Sequence, residues 1–129
     1  MTENDIAFDF RARYFSAGAP DDDAVQRWFV LHGYGQLAKF FIKKFDILAR
    51  HRIRVIAPEG LSRFYLEPIQ DGGRRNNRVG ATWMTRENRE MDIRNYIAYL
   101  DAIYRTESQN KNLPVTLLGF SQGAATASG

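Results

Sequence analysis

Three uniformly apolar runs, helical periodicity between them and a G-x-S-x-G turn closing the last run predict an α/β fold with a mostly parallel sheet. The runs are Trp28-Phe29-Val30-Leu31, then Ile53 with Val55-Ile56-Ala57, then Val115-Thr116-Leu117-Leu118. None alternates apolar with polar residues, so each reads as a strand covered on both faces. The helices between them supply right-handed crossovers.

The elements follow in chain order. Phe8, Phe10, Ala12 and Tyr14 alternate with Asp9, Arg11 and Arg13, which predicts a first strand with one wet face. The stretch Gly18-Ala19-Pro20-Asp21-Asp22-Asp23 is a turn or loop. After the first apolar strand, Gln36 to His51 reads as a helix with Leu37, Phe40, Phe41, Phe45 and Leu48 on one stripe. The second apolar strand is stopped by Pro58. From Glu59 to Met84 the pattern is irregular, with Gly72-Gly73, Asn76-Asn77 and Gly80 set among Phe64, Tyr65, Leu66 and Trp83. A loop of that length inside a compact domain is usually functional or mobile. Thr85, as N-cap, opens a helix running to about Glu107, with Ile93, Tyr96, Ile97, Leu100 and Ile103 or Tyr104 on its inner stripe. The third apolar strand follows, and a helix begins near Ser121. No repeat or linker divides the chain, so residues 1–129 read as one domain.

A composition of 44% hydrophobic and 13% aromatic residues is enough for a core and excludes a disordered chain. Zero cysteines exclude a disulfide framework and a thiolate metal site; no metal or other cofactor is expected. The start, MTENDIAFDF, lacks the basic and apolar regions of a signal peptide. No apolar run approaches the ~20 residues of a membrane span. The expectation is a cytoplasmic protein without stable membrane insertion. Net charge is +3, with arginines gathered at 50, 52 and 54 and at 74, 75 and 78, but acidic residues are interspersed and no nucleic-acid partner is expected.

Gly119-Phe120-Ser121-Gln122-Gly123 sits between a strand and the start of a helix. That context suits a nucleophilic serine on a sharp elbow. Flanking glycines let strand and helix approach, and the backbone N–H groups after the serine lie at a helix N-terminus that favours an oxyanion. Leu31-His32-Gly33-Tyr34-Gly35-Gln36 also ends a buried strand ahead of a helix, where a second oxyanion donor is expected. The two histidines are poor candidates for the base. His51 lies at the amino end of its strand, ~15–20 Å from the edge that carries Ser121; His32 belongs to the oxyanion loop.

On these pieces the chain resembles the α/β-hydrolases of the phospholipase/carboxylesterase family, which includes acyl-protein thioesterases and small bacterial esterases. The matching stretches are "LHGYG", "RVIAPEG", "GATWMTRE" and "LLGFSQGAA". The resemblance implies a three-layer sheet fold, an acyl-enzyme on Ser121, an oxyanion hole from the Tyr34 and Gln122 N–H groups, and supporting roles for His32, Gly33, Gly119 and Gly123. Phe64, Tyr65, Leu66 and Trp83 could line the acyl pocket or only pin the loop to the core. The implied substrates are small-molecule esters or thioesters, with no cofactor; a homodimer is left open. In the family the catalytic Asp and His follow the serine, and Gln122–Gly129 holds neither. The chain is therefore expected to be the front portion of a longer protein, with C-terminal strands missing, Val115–Leu118 as an open sheet edge, and little activity alone. The alternative is a non-catalytic binding or interaction module whose sheet a partner chain completes.

Overall fold

The computed structural model describes residues 1–66 and 78–128. Its main sheet has four strands in the order β1-β3-β2-β6: β1 Tyr14–Gly18, β2 Gln26–Leu31, β3 Ile53–Pro58 and β6 Val115–Gly119. β2 pairs in parallel with both β3 and β6, and β1 runs antiparallel to β3. This is the mostly parallel sheet expected from the three apolar runs.

Successive side chains of the central strands serve opposite faces, which is why those strands are apolar throughout. On one face Val30, Ile53, Val55 and Ala57 pack with Phe41 and Ile42. On the other, Phe29 and Ile56 meet Ile103, while Leu31 meets Trp83 and Tyr96. Helices therefore cover both faces: a short α1, Ala38–Phe41, continuing as a 3-10 helix over Ile42–His51, on one; α2, Arg89–Glu107, and α3, Gln122–Ser128, on the other.

Four expectations need correction. The first strand is Tyr14–Gly18, not Phe8–Tyr14: pairing with β3 begins at Tyr14 opposite Pro58, and the alternating residues before it have no ladder partner. The helix expected over Gln36–His51 is mostly 3-10. Ile42, Phe45 and Leu48 face the core at intervals of three, the repeat of a 3-10 helix, and Phe40 points outward at 59% exposure. Within Glu59–Met84 an antiparallel hairpin forms from β4, Ser62–Tyr65, and β5, Val79–Thr82. Gly72-Gly73, Arg74, Arg75 and Asn76-Asn77 lie outside the described residues. Finally, α2 starts at Arg89, because Thr85 uses its hydroxyl on the Glu87 carbonyl and the turn closes at Asn88, in the left-handed conformation. Ile97 and Tyr104 of its expected inner stripe are about half exposed, leaving Tyr96 and Ile103 as the buried contacts.

α2 is fastened to the sheet by polar contacts as well. Glu107 accepts from Arg54 Nε at 2.7 Å and from the Tyr14 hydroxyl at 2.8 Å, joining its last turn to β3 and β1. Burial pushes the Glu107 carboxyl up, but the hydrogen bonds from Arg54 and Tyr14 outweigh it and hold the group below its usual value.

Candidate active site

The parallel pairing of β2 with β6 sets Leu31 opposite Gly119. The segments leaving the two strands, His32–Gln36 and Phe120–Gln122, thus emerge side by side at the carboxyl edge of the sheet, where open α/β sheets bind their ligands. The Phe120 N–H donates to the Leu31 carbonyl at 3.0 Å, carrying the pairing one residue into the turn.

Ser121 adopts φ 57°, the left-handed region that side chains rarely occupy, and it is exposed. The neighbouring glycines permit this turn. A Cβ on Gly119 would strike the Gly123 carbonyl, and a Cβ on Gly123 would strike the Leu31 carbonyl. A Cβ on Gly33 would lie 3.1 Å from the Ser121 Cβ, so the backbone of the His32–Gln36 loop lies directly against the serine.

That loop is held by three side chains, His32, Trp83 and Gln36. The Gly60 N–H donates to His32 Nε2 at 2.9 Å, so the ring proton resides on Nδ1, which donates to the Gly33 carbonyl at 2.7 Å. The His32 ring is fully buried and stacks on Trp83 with centroids 5.0 Å apart, while Trp83 Nε1 donates to the His32 carbonyl. Burial pushes the His32 pKa down, against smaller upward pulls from the Gly33 carbonyl and Glu59. Gln36 takes the Gly33 N–H on its side-chain oxygen at 2.5 Å and donates its own N–H to the Gly33 carbonyl at 3.2 Å. With the Gly33 carbonyl turned toward these donors, the Tyr34 N–H across the same trans peptide points the opposite way.

On the other side, the Gln122 side chain clamps the start of α3 to the end of β5. Its Oε1 accepts the Trp83 N–H at 3.0 Å and its Nε2 donates to the Met84 carbonyl at 2.9 Å. The Gln122 backbone N–H belongs to the first turn of α3, where N–H groups have no intrahelical acceptor.

The remaining expected residues are spread. The Tyr34 ring, 60% exposed, packs on Phe64 at 5.3 Å. Tyr65 is exposed, Leu66 is half-buried with a methyl group near Gly35, and Trp83 is buried beneath His32. His51 lies exposed at the end of the 3-10 helix, just before β3, away from this edge. Two participants carry no motif of their own. One is Gln36. The other is Glu59, 3% exposed at the end of β3, which accepts from Arg13 at 2.7 Å and from the Ala38 N–H at the head of α1. Only the "PEG" that ends the second apolar strand hinted at Glu59. No cluster of potential metal ligands occurs among the described residues.

A mostly parallel sheet with helices on both faces, a serine on a strained strand–helix turn and a glycine loop set against it define an α/β-hydrolase fold. Residues 23–128 match the serine hydrolase (FSH1) family model, and the chain belongs to that family. Two solved structures share the fold. A phospholipase/carboxylesterase from Dyadobacter fermentans DSM 18053 superposes with a TM-score of 0.58 at 17% identity, over 93% of this chain and 53% of that one. Esterase PE8 gives a TM-score of 0.61 at 20% identity, over 92% of this chain and 56% of that one. The chain thus spans about half the length of these structures. No curated protein matches it significantly. No helix among the described residues is long and apolar enough to cross a membrane.

Proposed function

We propose that this chain carries the nucleophile and oxyanion-binding part of an esterase that cleaves carboxylic esters or thioesters through an acyl-enzyme on Ser121. The observation that carries the reading is the left-handed Ser121 with Gly33 of the glycine loop packed against it. Ser121 Oγ attacks the substrate carbonyl, and the Tyr34 and Gln122 N–H groups receive the oxyanion; each donor of this kind lowers the barrier by ~2.7–4 kcal/mol. The alcohol or thiol leaves with a proton, and water then releases the acyl group. Phe64, beside Tyr34, is the aromatic residue best placed to meet an acyl chain.

Neither histidine suits the role of base. Both His32 nitrogens are engaged by backbone groups, and His51 is at the far edge. In this reading the base and its acidic partner belong to chain outside the 129 residues, in keeping with the two solved structures, of which this chain covers 53% and 56%. A fluorophosphonate probe tests it. Peptide mapping should place the adduct on Ser121 in the longer protein, Ser121→Ala should abolish it, and the 129-residue chain should label ~100-fold or more slowly for want of a general base. An adduct elsewhere would refute the nucleophile, and equal rates would refute the missing base.

A further inference from the structure

Residues 1–13 form neither helix nor strand and are exposed throughout, yet the segment is tethered at both ends. Asn88 Nδ2 donates to the Glu3 carboxylate at 3.3 Å, and the Tyr99 hydroxyl donates to the Arg13 carbonyl at 2.5 Å. Between these tethers a cavity of about 920 Å³ separates the arm from α2. Ile6, Phe8 and Phe10 are 86%, 74% and 61% exposed. The Phe8 and Phe10 rings meet edge-on at 6.3 Å, which places them on one side of the arm. Asp9 and Arg11 form no ion pair among the described residues. The arm runs into β1, the outer strand of the sheet, whose one partner among the described residues is β3. An apolar, alternating segment continuous with an open sheet edge is a template for strand addition.

We propose that the arm joins two copies of this chain, each arm pairing antiparallel with its counterpart about a two-fold axis at Phe10. The pattern of the arm is complementary to itself in this register; centring on Phe8 would instead set Glu3 opposite Arg13, both already engaged by Asn88 and Glu59. Centred on Phe10, Phe10 faces Phe10, Asp9 faces Arg11 twice over, and Phe8 faces Ala12. Opposite charges and aromatic pairs directly across an antiparallel ladder each contribute roughly 0.2–1 kcal/mol. Centring on Asp9 or on Arg11 sets like charges face to face, and a one-residue slip of one strand puts the apolar side of one arm against the polar side of the other. Self-complementarity about a two-fold axis is the mark of an isologous interface, so the occupant is a second copy of this chain. Arg13 keeps its bond to Glu59 in this arrangement, and the tethers to α2 need not break.

The chain has no cysteine, so a single introduced thiol gives an unambiguous readout. Across the axis two residues at position 10 would have Cα atoms about 4.5–5.5 Å apart, within disulfide range. Two residues at position 6 would be ~27 Å apart. Under mild oxidation Phe10→Cys should form a covalent dimer and Ile6→Cys should not. In sedimentation equilibrium, with Leu117→Lys in every variant so that the β6 edge does not contribute, the wild-type arm should give a dimer, Asp9→Arg should weaken dimerisation at least tenfold by placing arginine opposite Arg11, and Asp9→Arg with Arg11→Asp should restore it. These exposed side chains can change without touching the core. A monomer with the wild-type arm, cross-linking of Phe10→Cys no faster than Ile6→Cys, or failure of the charge swap to restore association would each overturn the proposal.

Discussion

His32 has backbone groups on both ring nitrogens, so a second proton could be added only by losing the Gly60 N–H bond. Burial holds its folded pKa below the ordinary imidazole value of about 6.5. The sign follows from linkage: below about pH 6.5 the unfolded chain takes up this proton and the folded chain does not, so stability falls as the medium is acidified toward the folded pKa. Urea midpoints measured from about pH 7.5 down to about pH 5.5 should fall for the wild type, and the fall should be smaller in His32→Gln. At this scale the motifs of the candidate site were legible. Ser121, Gly119, Gly123 and the His32–Gln36 loop stand at fixed spacings that a strand–turn–helix requires. Gln36 and Glu59 were not readable, because what singles them out is a hydrogen bond to a backbone group, and such partners leave no periodic trace.

The elements meet most tightly where α3 crosses the end of β2. Gly123 lies against the Leu31 carbonyl with no room for a methyl group, and both contact atoms are backbone, so neither can swing aside. Gly123→Ala should therefore destabilise the fold by ~2 kcal/mol or more in chemical denaturation, although alanine is the better helix former by about 1 kcal/mol. β2 and β3 were legible because burial on both faces suppresses alternation; β6 has the same apolar run, but contrary to the expectation of cover on both faces its Val115, Leu117 and Leu118 are exposed among the described residues. The arm misled for the complementary reason: Phe8–Tyr14 has the alternation of a strand, but a strand also needs a ladder, and β3 offers one only from Tyr14 onward. The 3-10 helix was hidden because spacings of three and four coexist in Leu37–Leu48, and the choice between them is made by the contacts of Ile42, Phe45 and Leu48 with the sheet.

Over the whole molecule, the two outer strands differ in kind. β1 is antiparallel to its neighbour, whereas β6 is parallel to its own and exposes Val115, Leu117 and Leu118 at 41%, 50% and 40% with no charged residue among them. An edge of that composition promotes association. Static light scattering of the 129-residue chain should show concentration-dependent aggregation, and Leu117→Lys should reduce it while leaving Ser121 in place. The layered architecture was foreseeable from the order of the elements, and Val115–Leu118 was expected as an open edge; that β1 stands at the opposite rim, antiparallel to β3, came only from the pairing. The stack of Trp83 on His32 has a consequence at this scale too. The chain holds two tryptophans, and one of them lies face to face with the imidazole that orients the Gly33–Tyr34 peptide. Its emission is a label-free optical gauge of that loop, able to follow ring protonation or loop displacement in the intact protein without any substrate present.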